Sequence, residues 1–141
     1  MIPASLFPRL NSQNHRVTSP PSTSYNCIAW AAGDTQNWWQ PGLHWPLPTH
    51  PFDDTIAELQ SIFRSLAYEE CVNANLEPGF EKVALYGVAG FYTHAARQLS
   101  NGQWTSKLGN EEDIVHDSPE TVAGGIYGEA VSIMKRPVAS P

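Results

Sequence analysis

Two residues raise the first chemical question. They are Cys27, in Tyr25-Asn26-Cys27-Ile28-Ala29-Trp30-Ala31-Ala32-Gly33, and His94, in Thr93-His94-Ala95-Ala96-Arg97-Gln98-Leu99-Ser100. A thiol at the start of a helix meets unpaired N–H groups and the positive helix end, which favour the thiolate. An imidazole within hydrogen-bond reach would take the thiol proton and later give it to a leaving amine. That chemistry is attack on an amide or ester carbonyl through a thioester. The oxyanion would be held by the Cys27 backbone N–H and a donor from the preceding coil, Asn26 or Ser24. A third polar group should orient the imidazole. Asp113 is the first candidate, because a carboxylate best stabilises an imidazolium, and it lies nineteen residues past His94, enough for a hairpin and return. His116 and Asn110 are the alternatives. The plainer readings are a packing cysteine, a surface histidine, and a solvated acidic loop at Asn110-Glu111-Glu112-Asp113.

Other residues are weighed against the same question. Trp30, Trp38 and Trp39 are candidates for lining a substrate groove beside the cysteine helix, with Trp45 near them; the competing role is to clamp a proline-rich loop. Lys107 alternates with Trp104, Ser106 and Leu108 on a strand and shares a face with Thr105. It is expected to face solvent or to meet an acidic substrate group. Cys71 follows Glu69 and Glu70, whose charges would raise its thiol pKa, so it reads as a packing residue. Cys27, His94, Asp113 and His116 are zinc-ligand types, but no CxxC, HxxxH or HExxH spacing occurs, and no metal is expected. No glycine-rich phosphate loop is present, so no nucleotide cofactor is expected either.

The elements that must position these residues can be read coarsely. Residues 1–24 read as a proline- and serine-rich coil arm, and residues 25–141 as one α+β domain. Residues 26–33 read as a short helix capped at Gly33. The stretch 34–52 carries three Trp and four Pro and reads as a loop pinned by its tryptophans. Asp53 and Asp54 open a helix whose stripe is Ile56, Leu59, Ile62, Phe63 and Leu66, fading near Cys71. Strands are predicted at 82–88, 93–100, 103–109 and 129–137. Asn101-Gly102, between two of them, is a hairpin signal.

The order cysteine helix, second helix, histidine strand, hairpin, polar strand resembles the compact papain-like cysteine hydrolases of the NlpC/P60 and CHAP kind. The segment Thr93-His94-Ala95-Ala96-Arg97-Gln98-Leu99-Ser100-Asn101-Gly102-Gln103-Trp104 is similar to their histidine strand, and also to a transglutaminase-like pattern. The resemblance implies a papain-like sheet with helices on it, and Cys27 and His94 as the catalytic pair. One departure is that the usual Asp-Cys-Ser-Gly is here Asn26-Cys27-Ile28-Ala29. The motifs YNCIAWAAG, THAARQLSNGQWTSKLG and DIVH resemble a group of uncharacterised bacterial proteins more closely, which implies no particular activity.

Composition bounds the partners. The 141 residues carry 8 Lys and Arg against 14 Asp and Glu, a net charge of −6. Without a basic stripe, neither nucleic acid nor an anionic membrane surface is an expected partner. A peptide or protein substrate is. The N-terminus lacks a basic region followed by an apolar run, so the expected compartment is the cytoplasm, with signal-less export left open. The expected function is a cysteine-dependent hydrolase or acyl transferase acting on an amide. The alternative is a non-catalytic peptide- or protein-binding module on the same scaffold, its thiol buried and inert.

Overall fold

A computed structural model describes residues 4–48, 53–108 and 112–138. It is an α+β structure with a seven-stranded, wholly antiparallel sheet. The strands are β1 (His15–Ser19), β2 (Glu69–Cys71), β3 (Phe80–Val88), β4 (Phe91–Gln98), β5 (Trp104–Lys107), β6 (Asp113–His116) and β7 (Glu129–Pro137), in the order β1-β6-β5-β4-β3-β7-β2. Two helices, α1 (Cys27–Ala31) and α2 (Ile56–Ser65), lie on one face.

The turns show why these strands pair. Ala89 and Gly90 link β3 to β4 with φ of 54° and 87°, the left-handed pair that a tight hairpin turn needs. Gly102 (φ 90°) closes the β4–β5 hairpin at the predicted Asn101-Gly102. In α2, the Thr55 hydroxyl accepts from the Glu58 N–H at 3.2 Å. The helix stops at Ser65, short of the expected fade near Cys71. Ala67 takes a left-handed φ of 75°, and the Tyr68 and Ala67 N–H groups close back on the Phe63 and Arg64 carbonyls. Released from the helix, Glu69–Cys71 becomes the edge strand β2.

The coil-arm expectation for residues 1–24 is corrected. His15–Ser19 pairs with β6 as an edge strand, and Phe7 is buried in the core. The polar segment His15-Arg16-Val17-Thr18-Ser19 has no apolar alternation to announce it, because its side chains are mostly exposed.

The sheet divides the core into two layers. On the helix side Ile28, Leu59, Ile62 and Phe63 pack on Val83, Leu85, Ala95 and Met134. On the far side Ala84, Tyr86, Ala96, Trp104 and Ile114 pack under Phe7, Val122 and Tyr127. Val83-Ala84-Leu85-Tyr86 is therefore buried on both faces. Of the predicted α2 stripe, Leu59, Ile62 and Phe63 are buried, while Ile56 and Leu66 are half-buried at the ends. Because Leu59 is wholly enclosed, Leu59→Ala is expected to cost about 2–5 kcal/mol. Urea denaturation measures this, and a loss below about 1 kcal/mol would make α2 peripheral.

Candidate active site

Cys27 is the first residue of α1, and Asn26 before it is the cap. The Asn26 side-chain oxygen accepts from the Ala29 N–H at 3.1 Å and the Trp39 N–H at 3.2 Å. Its Nδ2 donates to the Trp39 carbonyl at 2.7 Å. One buried amide thus ties the helix start to the tryptophan loop. Trp39 Nε1 donates to Asp34 at 2.7 Å and Trp45 Nε1 to Glu58 at 3.0 Å, so the loop is pinned by its tryptophans. Between the loop and the start of β4 opens a pocket of about 500 Å³, with Cys27, Trp38, Trp39, Asp53, Asp54 and Tyr92 in its walls.

Cys27 as a residue is half-buried. Burial pushes its pKa up to about 11, against the opposing pull of the Ala95, Ile28 and Cys27 backbone N–H groups and the Lys107 charge. A five-residue helix carries too small a dipole to reverse that. The expectation that the helix start lowers the pKa is therefore corrected: at neutral pH Cys27 rests as a thiol. The Ala95 contact is informative. β4 and β5 pair at Arg97–Thr105 and Gln98–Trp104, and toward the start of β4 that ladder is not continued. The Ala95 N–H near that point is among the groups that pull the Cys27 thiol pKa down against burial.

His94, beside Ala95, is wholly buried in the middle of β4. Residues paired across a ladder share a face, so His94 lies with Tyr86 on the side away from α1. Its ring stacks on Tyr127 with centroids 4.0 Å apart and planes 4° from parallel. His94 Nε2 meets Ser106 Oγ at 3.0 Å, Ser106 Oγ meets His116 Nε2 at 2.7 Å, and His116 Nδ1 meets the Ser118 carbonyl at 2.8 Å.

This chain fixes the tautomers. Burial lowers both histidine pKa values, His116 to about 4 and His94 well below the usual range, so both rings are neutral at pH 7. The Ser118 carbonyl only accepts, so His116 Nδ1 carries the hydrogen and Nε2 is bare. Ser106 must then donate to His116 and accept from His94. His94 Nε2 is thereby protonated and Nδ1 is a bare lone pair. That Nδ1 is buried and has no hydrogen-bond partner among the described residues.

Asp113 is not the orienting group. Its Oδ2 accepts from the Tyr25 hydroxyl at 2.5 Å, and it stands opposite Lys107 on the helix-side face, while His94 lies on the far face. His116 is the alternative that connects to His94, through Ser106. Asn110 lies outside the described residues. Asn26 lines the pocket, and one of its two Nδ2 hydrogens goes to the Trp39 carbonyl. Trp38 and Trp39 line the pocket. Trp30 does not: it stacks on Tyr25 and donates to Thr105 Oγ1 at 3.0 Å. Lys107, expected at the surface, is fully buried, because α1 covers the strand face it shares with Thr105. Cys71 is half-buried, its Sγ close to the Asn73 carbonyl.

Sequence reasoning missed Ser106, Tyr25 and Tyr127. The alternation that set Ser106 apart from Lys107 carried the signal for Ser106, since the other face of β5 is the one His94 shares. Among the described residues no group of three or more His, Cys, Asp or Glu side chains stands close enough to hold a metal ion. No helix among them is long and apolar enough to cross a membrane.

Residues 16–135, a span holding the whole site, match a family described as a domain of unknown function, DUF7689. The chain belongs to the DUF7689 family. Searches of curated proteins and of solved structures return no match. The match to DUF7689 takes in β1 from Arg16 as well as the helices, so the edge strand belongs to the family's domain and not to an appended arm.

Proposed function

We propose that this DUF7689 chain is a cysteine-dependent hydrolase or acyl transferase acting on an amide carbonyl, built on a papain-like scaffold. The observation that carries the reading is the hydrogen-bond chain from Ser118 to His94, which leaves His94 Nδ1 as a bare base one residue before Ala95. In this reading the His94 ring, which lies on the sheet face away from α1, must reach the thiol through the gap where the β4–β5 ladder is not continued. The Cys27 proton moves to His94 Nδ1 as sulfur attacks the carbonyl carbon. The tetrahedral oxyanion collapses and expels the amine, which takes that proton. Water, deprotonated by the same nitrogen, or a second amine then opens the thioester. A neutral pair suits this course, because thiol and imidazole exchange the proton during attack. The substrate enters through the Trp38–Trp39 side, and a peptide or protein amide suits an open pocket of about 500 Å³.

The raised thiol pKa is the observation that favours the rival reading, a binding module with an inert cysteine. p-Nitrophenyl acetate separates the two. The hydrolase reading expects a burst of nitrophenol, an acetyl adduct on Cys27 in the intact mass, and loss of both in Cys27→Ala. Acetylation confined to lysines, unchanged by Cys27→Ala, supports the module.

A further inference from the structure

A base that takes a proton needs a fixed direction for its lone pair and support for the charge it acquires. A carboxylate commonly supplies both, but Asp113 lies on the opposite face of the sheet, bound to Tyr25. The side chains against the His94 ring are Ser106 from β5, Tyr86 from β3 and Tyr127 from the segment before β7. Ser106 meets one edge of the ring, at Nε2, and so sets its rotation within its own plane. The plane itself is set by Tyr127, whose ring is 4° from parallel with centroids 4.0 Å apart. A face-on contact leaves the in-plane lone pair of Nδ1 uncovered by the tyrosine.

Tyr127 is itself held from three sides. The Thr93 hydroxyl donates to its carbonyl at 2.6 Å, and Thr93 is the extra residue where β4 bulges against β3, so the tyrosine is fastened one residue from His94. Phe7 packs edge-on against the Tyr127 ring at 5.3 Å. The turn 124–128 closes with the Gly124 N–H on the Gly128 carbonyl at 2.8 Å, and it sits so close to β3 that a Cβ at Gly128 would meet the Gly87 carbonyl oxygen at 2.6 Å. An aromatic face carries partial negative charge and attracts a cation within about 6 Å of its centroid. A cation is what the His94 ring becomes once both nitrogens hold a hydrogen.

We infer that Tyr127 is a positioning residue that fills the place of the carboxylate: its ring fixes the plane of His94, and its face supports the imidazolium formed when Nδ1 takes the Cys27 proton. The support of charge rests on the hydrolase reading; the fixing of the plane does not.

The test compares Tyr127→Phe, which keeps the aromatic face, with Tyr127→Met, which fills the space without one. The readouts are acetyl transfer from p-nitrophenyl acetate and the imidazole ¹⁵N shifts of His94 in histidine-labelled protein, assigned by their loss in His94→Gln. The parent ring is expected to show a single tautomer at pH 7.5, bare at Nδ1 and protonated at Nε2, and Tyr127→Phe should match it in both readouts. Tyr127→Met is expected to slow transfer about tenfold, within the range for a desolvated cation on an aromatic face, and to average the shifts of the two nitrogens. A tyrosine that only fills space predicts that Met serves as well as Phe. The parent transfer rate in Tyr127→Met overturns the support of charge, and the parent tautomer in that variant overturns the fixing of the plane. An imidazolium signature in Tyr127→Met at pH 6.5, where the parent ring stays neutral, would mean that the tyrosine only excludes water, and it also overturns the inference. If Tyr127→Met does not fold, the parent decides: two tautomers of His94 there would show a ring that nothing holds. Averaged shifts in Tyr127→Met together with an absent acetyl adduct in the parent would retain the fixed plane and sink the hydrolase reading.

Discussion

His94→Ala is expected to lower acetyl transfer to Cys27 by roughly 10²–10⁴-fold, the range for loss of a positioned general base. The direction follows from the resting state. Cys27 is a thiol held above its ordinary pKa by burial, so almost no thiolate is present to react unaided. Only a base that takes the proton during attack makes such a thiol useful, and in the proposed reading that base is His94 Nδ1, a buried nitrogen without a hydrogen-bond partner among the described residues. The same variant separates base from relay. In Ser106→Ala the Nε2 hydrogen loses its acceptor, the other tautomer becomes accessible, and transfer should fall by less than in His94→Ala. Asp113→Asn should leave this tautomer untouched, because Asp113 is bound to Tyr25 on the opposite face. Burst amplitude and the acetyl adduct are the readouts, with circular dichroism to establish that each variant is folded. Should His94→Ala transfer as fast as the parent, Cys27 and His94 are not a pair, and the proton route through His94 Nδ1 falls.

How much of this was legible in the sequence depends on which physical signal each part sends. The β4–β5 hairpin was legible because Asn101-Gly102 sits between two alternating runs, and the placement of Cys27 at a helix start because the apolar run begins there. Strand alternation also correctly divided β5 into a Trp104, Ser106 and Leu108 face and a Thr105 and Lys107 face. What alternation cannot say is which faces are covered. Lys107 is a charged residue and reads as exposed, yet α1, far from it along the chain, lies over it. For the same reason Asp113 looked like the better partner for His94: type favoured a carboxylate, but register puts Asp113 and His94 on opposite faces, and register is a property of pairing rather than of composition. β1 left no trace because a mostly exposed edge strand needs no apolar pattern. The early end of α2 is set by a left-handed Ala67, a position where glycine would have been visible and alanine is not.

The neutral histidine pair has a consequence for the whole fold, and it gives the second large effect: stability is expected to fall steeply between about pH 6.5 and pH 5. An unfolded chain binds protons on His94 and His116 near the ordinary histidine pKa of about 6.5. The folded protein binds none there, since burial lowers His116 to about 4 and His94 well below the usual range. The unfolded state therefore holds more protons throughout this window, so stability rises with pH across it and is lost on acidification. For His116 alone the loss by pH 5 is about 2 kcal/mol, and His94, lowered by its own burial, acts in the same direction. Carboxylates held below their ordinary range, such as Asp34, act at lower pH and do not produce this slope. Urea midpoints at pH 7.5, 6 and 5 measure the effect, and His116→Asn should shallow the fall by deleting one of the two titrating rings. Equal midpoints at pH 7.5 and pH 5 would mean that the rings are charged in the folded state. The tautomers assigned from Ser118 would then be wrong, and Nδ1 of His94 would have no lone pair with which to take the thiol proton.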